Sequence, residues 1–220
     1  MKEGMGVMQN LYFPSCNFTA ASPEAAERIR AWLAERMPVA GCCRTDEREY
    51  PAGSNAVYFC QACREVLEEK KGGMSAQNLF VYLDGDSGFP WPDYSGLTVN
   101  VQDCWRDRFH PEIFDAVRSV LRKMRVKVVE LEENRENTRF CGDLHFEPQK
   151  RENRALLARC PETPVYKLPD GIKVELMKEQ VEKLTCPLAV CACNRCVRGI
   201  AAGGGKAVHL LELVTGTFEA

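Results

Sequence analysis

The 220-residue chain has no apolar run near the roughly 18 residues that a membrane-crossing helix needs, so no membrane span is expected. It has no excess of either charge. Its 29 Lys and Arg against 31 Asp and Glu leave a formal net charge of -2, which gives no general drive toward nucleic acid. Met1-Lys2-Glu3-Gly4 leads into no apolar stretch, so a secretory leader is not expected and a cytoplasmic setting is. No G-x-G-x-x-G is present, which argues against a nicotinamide or flavin fold. Gly203-Gly204-Gly205-Lys206 lacks the spacing and the Ser/Thr of a phosphate loop and reads as a helix end. Asp84-Gly85-Asp86-Ser87-Gly88 lacks the closing Glu of a calcium loop and runs into Pro90, so it reads as a turn. The tight cysteine run of bacterial ferredoxins is also missing.

What the chain does have is cysteine, 12 of them. A reducing compartment makes clustered thiols a sign of metal or redox chemistry and not of a disulfide framework. With 45% hydrophobic residues the chain has enough apolar side chain to build a core.

Two stretches repeat a pattern. Leu11-Tyr12-Phe13 leads to Cys16, and seven residues later Pro23-Glu24 opens a helix. Leu97 to Val101 leads to Cys104, and seven residues later Pro111-Glu112 opens another. Proline at the first helical position gives up no needed donor, glutamate suits the positive helix end, and Ser22 is placed to cap the first helix. Ala26, Ile29, Leu33 and Met37 then share one face at helical spacing, as do Ile113, Val117, Val120 or Leu121, and Met124. Further on, Ala56 to Phe59 leads into Cys60-Gln61-Ala62-Cys63, and Ala189 to Ala192 leads into Cys193-Asn194-Arg195-Cys196. Each reads as a buried strand ending in C-x-x-C. A helix follows (Arg64 to Lys71; Val197 to Ala202), then glycines (Gly72-Gly73; Gly203 to Gly205) and an apolar strand (Leu79 to Leu83; Ala207 to Leu211).

This order predicts an α/β fold of two similar domains with mostly parallel sheets, packed face to face about a pseudo-twofold axis. The domains are 1–88 and 89–220, with a charged insert around 130–185 that holds helices near Lys150 to Ala158 and Val174 to Leu184. The join, Asp84 to Asp93, is a Gly/Pro/Asp loop whose Phe89 and Trp91 predict a packed connection.

Parallel α/β units gather ligands at the carboxyl ends of their strands. The first half offers five thiols there: Cys16, Cys42, Cys43, Cys60 and Cys63. Adjacent cysteines do not readily give both sulfurs to one tetrahedral ion, whereas a cluster of several irons takes both. The second half offers Cys104, Cys141, Cys193 and Cys196, a set that suits tetrahedral zinc or a cubane cluster. Cys191, two residues before Cys193, faces the same way on a strand and is a candidate fifth thiol. Cys160 and Cys186 fit neither set and are expected to be filler or surface thiols. Of the scattered histidines only His145 is near a motif, and a structural role is expected for it. Arg44, Arg106 and Arg108 stand beside cysteines, where arginine lowers thiol pKa and attracts anions, or is plain surface charge.

The arrangement resembles the cysteine-rich CCG domain, found duplicated in the cysteine-rich subunit of heterodisulfide reductase and in the iron–sulfur subunit of glycolate oxidase. The likeness covers nearly the whole chain, as two copies. It implies that Cys16, Cys42, Cys43, Cys60 and Cys63 hold a noncubane [4Fe-4S] cluster, and that the second set holds zinc or a [4Fe-4S] cluster. It also implies electron transfer or reduction of a disulfide or thiol substrate, with electrons brought by a redox partner protein or a small carrier. Two departures stand out. Arg44 replaces the glycine after the pair, and Phe140-Cys141-Gly142 replaces Cys-Cys-Gly. The competing expectations are a zinc-stabilised interaction module and a cluster-free thiol–disulfide exchanger using Cys60 and Cys63.

Overall fold

The structure, a computed structural model, describes residues 9–70, 73–161 and 163–219. Met1 to Gly4, Lys71 and Gly72 lie outside them. The chain divides into two compact units, Met1–Pro90 and Trp91–Ala220. The fold is α/β, and the three- and four-stranded sheets are parallel throughout. Among the described residues no helix is long and apolar enough to cross a membrane.

In unit 1, β1 (Asn10–Tyr12) is followed by two consecutive helices, α1 (Cys16–Ala21) and α2 (Pro23–Ala34). Then come β2 (Asn55–Tyr58), α3 (Gln61–Lys70), β3 (Ser75–Asn78) and α4 (Leu79–Asp84). The sheet order is β1-β2-β3. A parallel bridge from Val39 to Tyr12 adds a vestigial strand on the free side of β1. Pro23 does start α2, whose Ala25, Ala26, Ile29 and Leu33 are buried, but Ser22 makes no side-chain capping bond. Its backbone is instead committed to α1, since Ser22 N donates to the Phe18 carbonyl.

Unit 2 opens with β4 (Thr98–Gln102), α5 (Pro111–Lys123) and β5 (Lys127–Val129). A small antiparallel hairpin of β6 (Phe140–Cys141) and β7 (His145–Phe146) leads to α6 (Arg151–Ala158) and α7 (Asp170–Val181). The chain closes with β8 (Ala189–Cys191), α8 (Asn194–Ala202), β9 (Ala207–His209) and α9 (Leu210–Val214). Sheet order is β5-β4-β8-β9. Helix α5 buries Ile113, Phe114, Val117 and Leu121, each worth about 1.5–3 kcal/mol in apolar burial.

One expected strand is helix, and the other, Ala207 to Leu211, is strand only as far as His209. Leu79 to Leu83 lies in α4 and Leu210-Leu211 begins α9, each after a shorter strand. The cause is a cap at the junction. The Asn78 side chain accepts from Phe80 N at 2.9 Å, and His209 Nδ1 accepts from Leu211 N at 3.1 Å. Those caps turn the chain into a helix whatever the strand propensity of the residues that follow. The join is packed within unit 1, where Phe89 meets Trp32 edge-on at 4.8 Å.

Candidate metal centre

Both sheets have their switch in strand order between the first strand and its inner neighbour, β1/β2 in unit 1 and β4/β8 in unit 2. The crevice outside the carboxyl ends at such a point is where open α/β sheets bind ligands. The cysteines collect at these two places.

In unit 2 the sulfurs of Cys104, Cys141, Cys193 and Cys196 all lie within 4.8 Å of one another. None of the four is more than 4% exposed. Cys104 follows β4, Cys193 stands at the N-cap position of α8, and Cys196 is in its first turn. Cys141 comes from the hairpin, with Cys104 Sγ 3.4 Å from Cys141 Sγ. Gly142 has φ +54°, and a Cβ there would stand 1.9 Å from the Arg195 carbonyl oxygen. A Cβ on Gly199 of α8 would meet the Gly142 Cα at 2.5 Å. These two glycines let the hairpin and helix touch backbone to backbone, which is what brings Cys141 to the C-x-x-C.

Polar residues on β4 lock the surroundings. The Asn100 side-chain oxygen accepts from Thr185 N (2.8 Å) and Cys186 N (2.7 Å), and its amide donates to the Val129 carbonyl (2.9 Å). Asp103, next to Cys104, takes a bidentate pair from Arg118 at 2.6 and 2.7 Å and a bond from Arg135 N at 2.7 Å. Arg118 also reaches Glu130 at 2.7 Å, so its buried charge is matched.

The electrostatics ask for a cation. The Cys193 thiol is held well below its usual range by bonds from the Cys104, Cys141 and Cys196 thiols and from Cys196 N–H. Burial pushes Cys104 up, and the sulfur neighbours push Cys196 up. Four buried thiolates repel one another, and a divalent ion at their centre relieves that. The donor set therefore fits a metal: four soft ligands, closed and dry.

In unit 1 the five expected thiols meet in pairs, whereas among the described residues only the unit 2 quartet forms a group close enough to hold one ion. Cys42 meets Cys16, Cys43 meets Cys63, and Cys60 meets Cys63. Here Cys16 is exposed and Cys42 and Cys60 are half-buried, while Cys43 and Cys63 are buried. The Cys42-Cys43 loop is built around the Asp46 side chain, which accepts from Gly41 N (2.6 Å), Arg48 N (3.1 Å) and Tyr50 OH (2.5 Å). Tyr50 packs edge-on against Phe13 at 5.7 Å, tying the loop to the end of β1. The Cys42 thiol is lowered, first by the Arg44 backbone N–H. The Arg44 side chain itself is exposed. Cys60 is lowered by Cys63, by the N–H groups at the start of α3 and by the Ser15 hydroxyl, and Cys63 is raised in consequence.

The register corrects one correspondence. Tyr12 pairs with Val57 three residues before Cys60, and Val101 pairs with Val190 three residues before Cys193. Stepping three residues on from Tyr12 and Val101 sets Ser15, not Cys16, against Cys104. Both also stand at N-cap positions, Ser15 of α1 and Cys104 of a short 3-10 turn. Matching cysteine to cysteine hides this, because the two short helices start in the same register and unit 1 carries its cysteine at the first helical residue instead of at the cap.

Of the remaining candidates, Cys191 is fully buried beside the unit 2 quartet, and burial pushes its thiol up. Cys160 and Cys186 are half-buried and outside it. His145 stacks on Trp105 at 3.7 Å and its Nε2 meets Glu147 at 3.0 Å, while Arg108 covers the Trp105 ring at 3.6 Å. His209 went unrecognised in sequence. It caps α9, contacts the Ala192 backbone and lies beside Cys191 in register. Its signal was its position at the end of β9, directly after Val208, the place Asn78 holds at the end of β3 in unit 1. Comparison with models of known families, with curated proteins and with solved structures finds no match.

Proposed function

We propose that unit 1 is an iron–sulfur redox centre of the CCG type and that unit 2 is the same kind of sheet edge closed around one structural zinc ion. The observation that carries the first half is the splitting of the adjacent pair. Cys42 and Cys43 direct their sulfurs to different partners, Cys16 and Cys63. Two neighbouring thiolates aimed apart serve different metal atoms, which favours a [4Fe-4S] cluster of the noncubane kind over a single ion. Such a cluster supplies one-electron chemistry on sulfur, and the reading is electron transfer or reduction of a disulfide or thiol substrate. The chain's own part is to favour the thiolates of Cys42 and Cys60 with backbone N–H groups, to bury Cys43 and Cys63, and to leave Cys16 at the surface where a substrate arrives. Electrons come from a partner protein or a small carrier.

For unit 2 the sulfur spacing favours zinc. Four sulfurs about 2.3 Å from one zinc stand about 3.8 Å apart, in keeping with the compact quartet. A cubane's four thiolates sit on four different irons and stand further apart.

Iron, zinc and acid-labile sulfide are to be counted on the full chain purified without oxygen. The expected result is zinc with iron and sulfide, and a visible absorption that Cys42→Ser abolishes. Zinc alone, without sulfide, overturns the redox reading in favour of a metal-stabilised interaction module. A second reading, a thiol–disulfide exchanger, is favoured by one observation: Cys60 is lowered and Cys63 raised at the start of α3. A chain with no metal and a reactive Cys60–Cys63 dithiol would establish it.

A further inference from the structure

Among the described residues two large apolar side chains are exposed, Phe109 at 75% and Tyr166 at 43%. A lone exposed aromatic is ordinary, but Phe109 ends an ordered stack. The Arg108 guanidinium lies 4.3 Å from the Phe109 ring and 3.6 Å from the Trp105 ring, and His145 stacks on Trp105 at 3.7 Å. Backbone bonds fix the loop beneath, from Asp107 N to the Cys104 carbonyl (2.9 Å) and from His110 N to the Asp107 carbonyl (2.7 Å). Arg108 gives one side-chain bond to the Trp105 carbonyl at 3.0 Å and makes no ion pair among the described residues. The product is a stiff knob with an apolar tip and an unmatched cation. Little side-chain freedom is left for it to lose on binding.

Trp105 also borders an open cavity of about 310 Å³, lined further by Glu133, Glu136, Thr138, Arg139 and Glu147. Arg139 meets Glu133 and Glu147, each at 3.2 Å. Glu136 meets no cation among the described residues. Three carboxylates thus face one lining guanidinium, and the hollow is acidic. Knob and hollow are opposite in sign and flank the same indole. A twofold contact uses one patch on both copies, so a knob beside a matching hollow closes as a pair.

We propose that this edge of unit 2 is a docking surface for a second copy of the chain: Phe109 and Arg108 of each copy enter the acidic hollow of the other, with the two Trp105 rings near the twofold axis. Arg108 there gains the carboxylate it lacks, a strong charge-assisted pairing. The carboxylates beside the knob repel phosphate and so disfavour nucleic acid as the occupant. The contact lies next to Cys104 and on His145, which pairs with Cys141 in the hairpin, so the second copy adds cover to the edge of the thiol quartet. It does not depend on which metal either thiol set holds.

Sedimentation of the full chain, purified without oxygen and kept in reductant so that no disulfide links two copies, tests this. A monomer–dimer equilibrium that weakens as salt rises is expected. Phe109→Ser alters an exposed side chain and spares the fold, and it is expected to weaken the dimer about tenfold or more. Arg108→Glu and Glu136→Arg are each expected to weaken it as much, and the two in one chain to restore it. Tyr166→Ser, at the other exposed aromatic, is expected to leave it unchanged. A chain that stays monomeric at every concentration overturns the proposal, as does a dimer indifferent to Phe109→Ser or an assembly that grows past two copies. Single charge reversals that weaken the dimer while the double variant fails to restore it overturn the pairing of knob with hollow.

Discussion

Unit 2 ends its sheet in four thiols sealed from water, whereas unit 1 ends a sheet of the same order in five thiols with Cys16 at the surface. Three in-register exchanges separate them: Ser15 for Cys104, Tyr58 for Cys191 and Asn78 for His209. The adjacent Cys42-Cys43 pair in unit 1 meets a single Cys141 in unit 2, with Phe140 before it. The difference teaches that the parallel sheet supplies the places and the residue at each place decides how far the thiols are shut off from water.

The largest expected effect breaks the closed site. Cys196→Ser removes one of the four thiols proposed to hold zinc, and structural zinc contributes on the order of 10 kcal/mol of folding free energy. Unit 2 should lose its zinc and its cooperative melting transition by circular dichroism. Cys43→Ser in unit 1 should lower the melting temperature far less. Gly142→Ala comes next. With φ +54° and a Cβ 1.9 Å from a backbone oxygen, it should cost more than about 4 kcal/mol in urea unfolding. Arg44→Ala, at the exposed residue after Cys43 in unit 1, should stay within about 0.5 kcal/mol.

A third test uses acid. Burial lowers His209 from 6.5 to about 4. The unfolded chain therefore takes up the proton first. The stabilisation is complete above pH 6.5 and fades as pH falls toward about 4, a loss of about 3 kcal/mol. His209→Asn installs the capping residue of unit 1 and should flatten that part of the stability curve. A weaker effect than that of His209 is expected in the Cys42-Cys43 loop. Asp46→Asn weakens the bonds to Gly41, Arg48 and Tyr50, at about 1–2 kcal/mol locally. It should show as faster alkylation of Cys42 with little change in global melting.

Much of this was legible in the sequence. Pro23 and Pro111 marked helix starts, most of the apolar runs marked parallel strands, and Cys104, Cys141, Cys193 and Cys196 came together, because strand-end positions and C-x-x-C turns are local signals. Less legible were features that depend on what lies across the sheet. The caps that turn Leu79 and Leu210 into helices read as strand because apolar runs alone do not separate the two. Ser15 was hidden by the pull of matching cysteine to cysteine. The Asp103–Arg118 pair and the Gly142–Gly199 contact join residues distant in the chain, and nothing local announces them.

Alkylation of the zinc-loaded, cluster-free chain by iodoacetamide, resolved cysteine by cysteine with mass spectrometry, tests the contrast between the two sites most directly. Cys16 and Cys42 should be modified first, and Cys104, Cys141, Cys193 and Cys196 should stay protected until a chelator removes the zinc. Labelling of those four as fast as Cys16, with zinc still bound, would contradict the account.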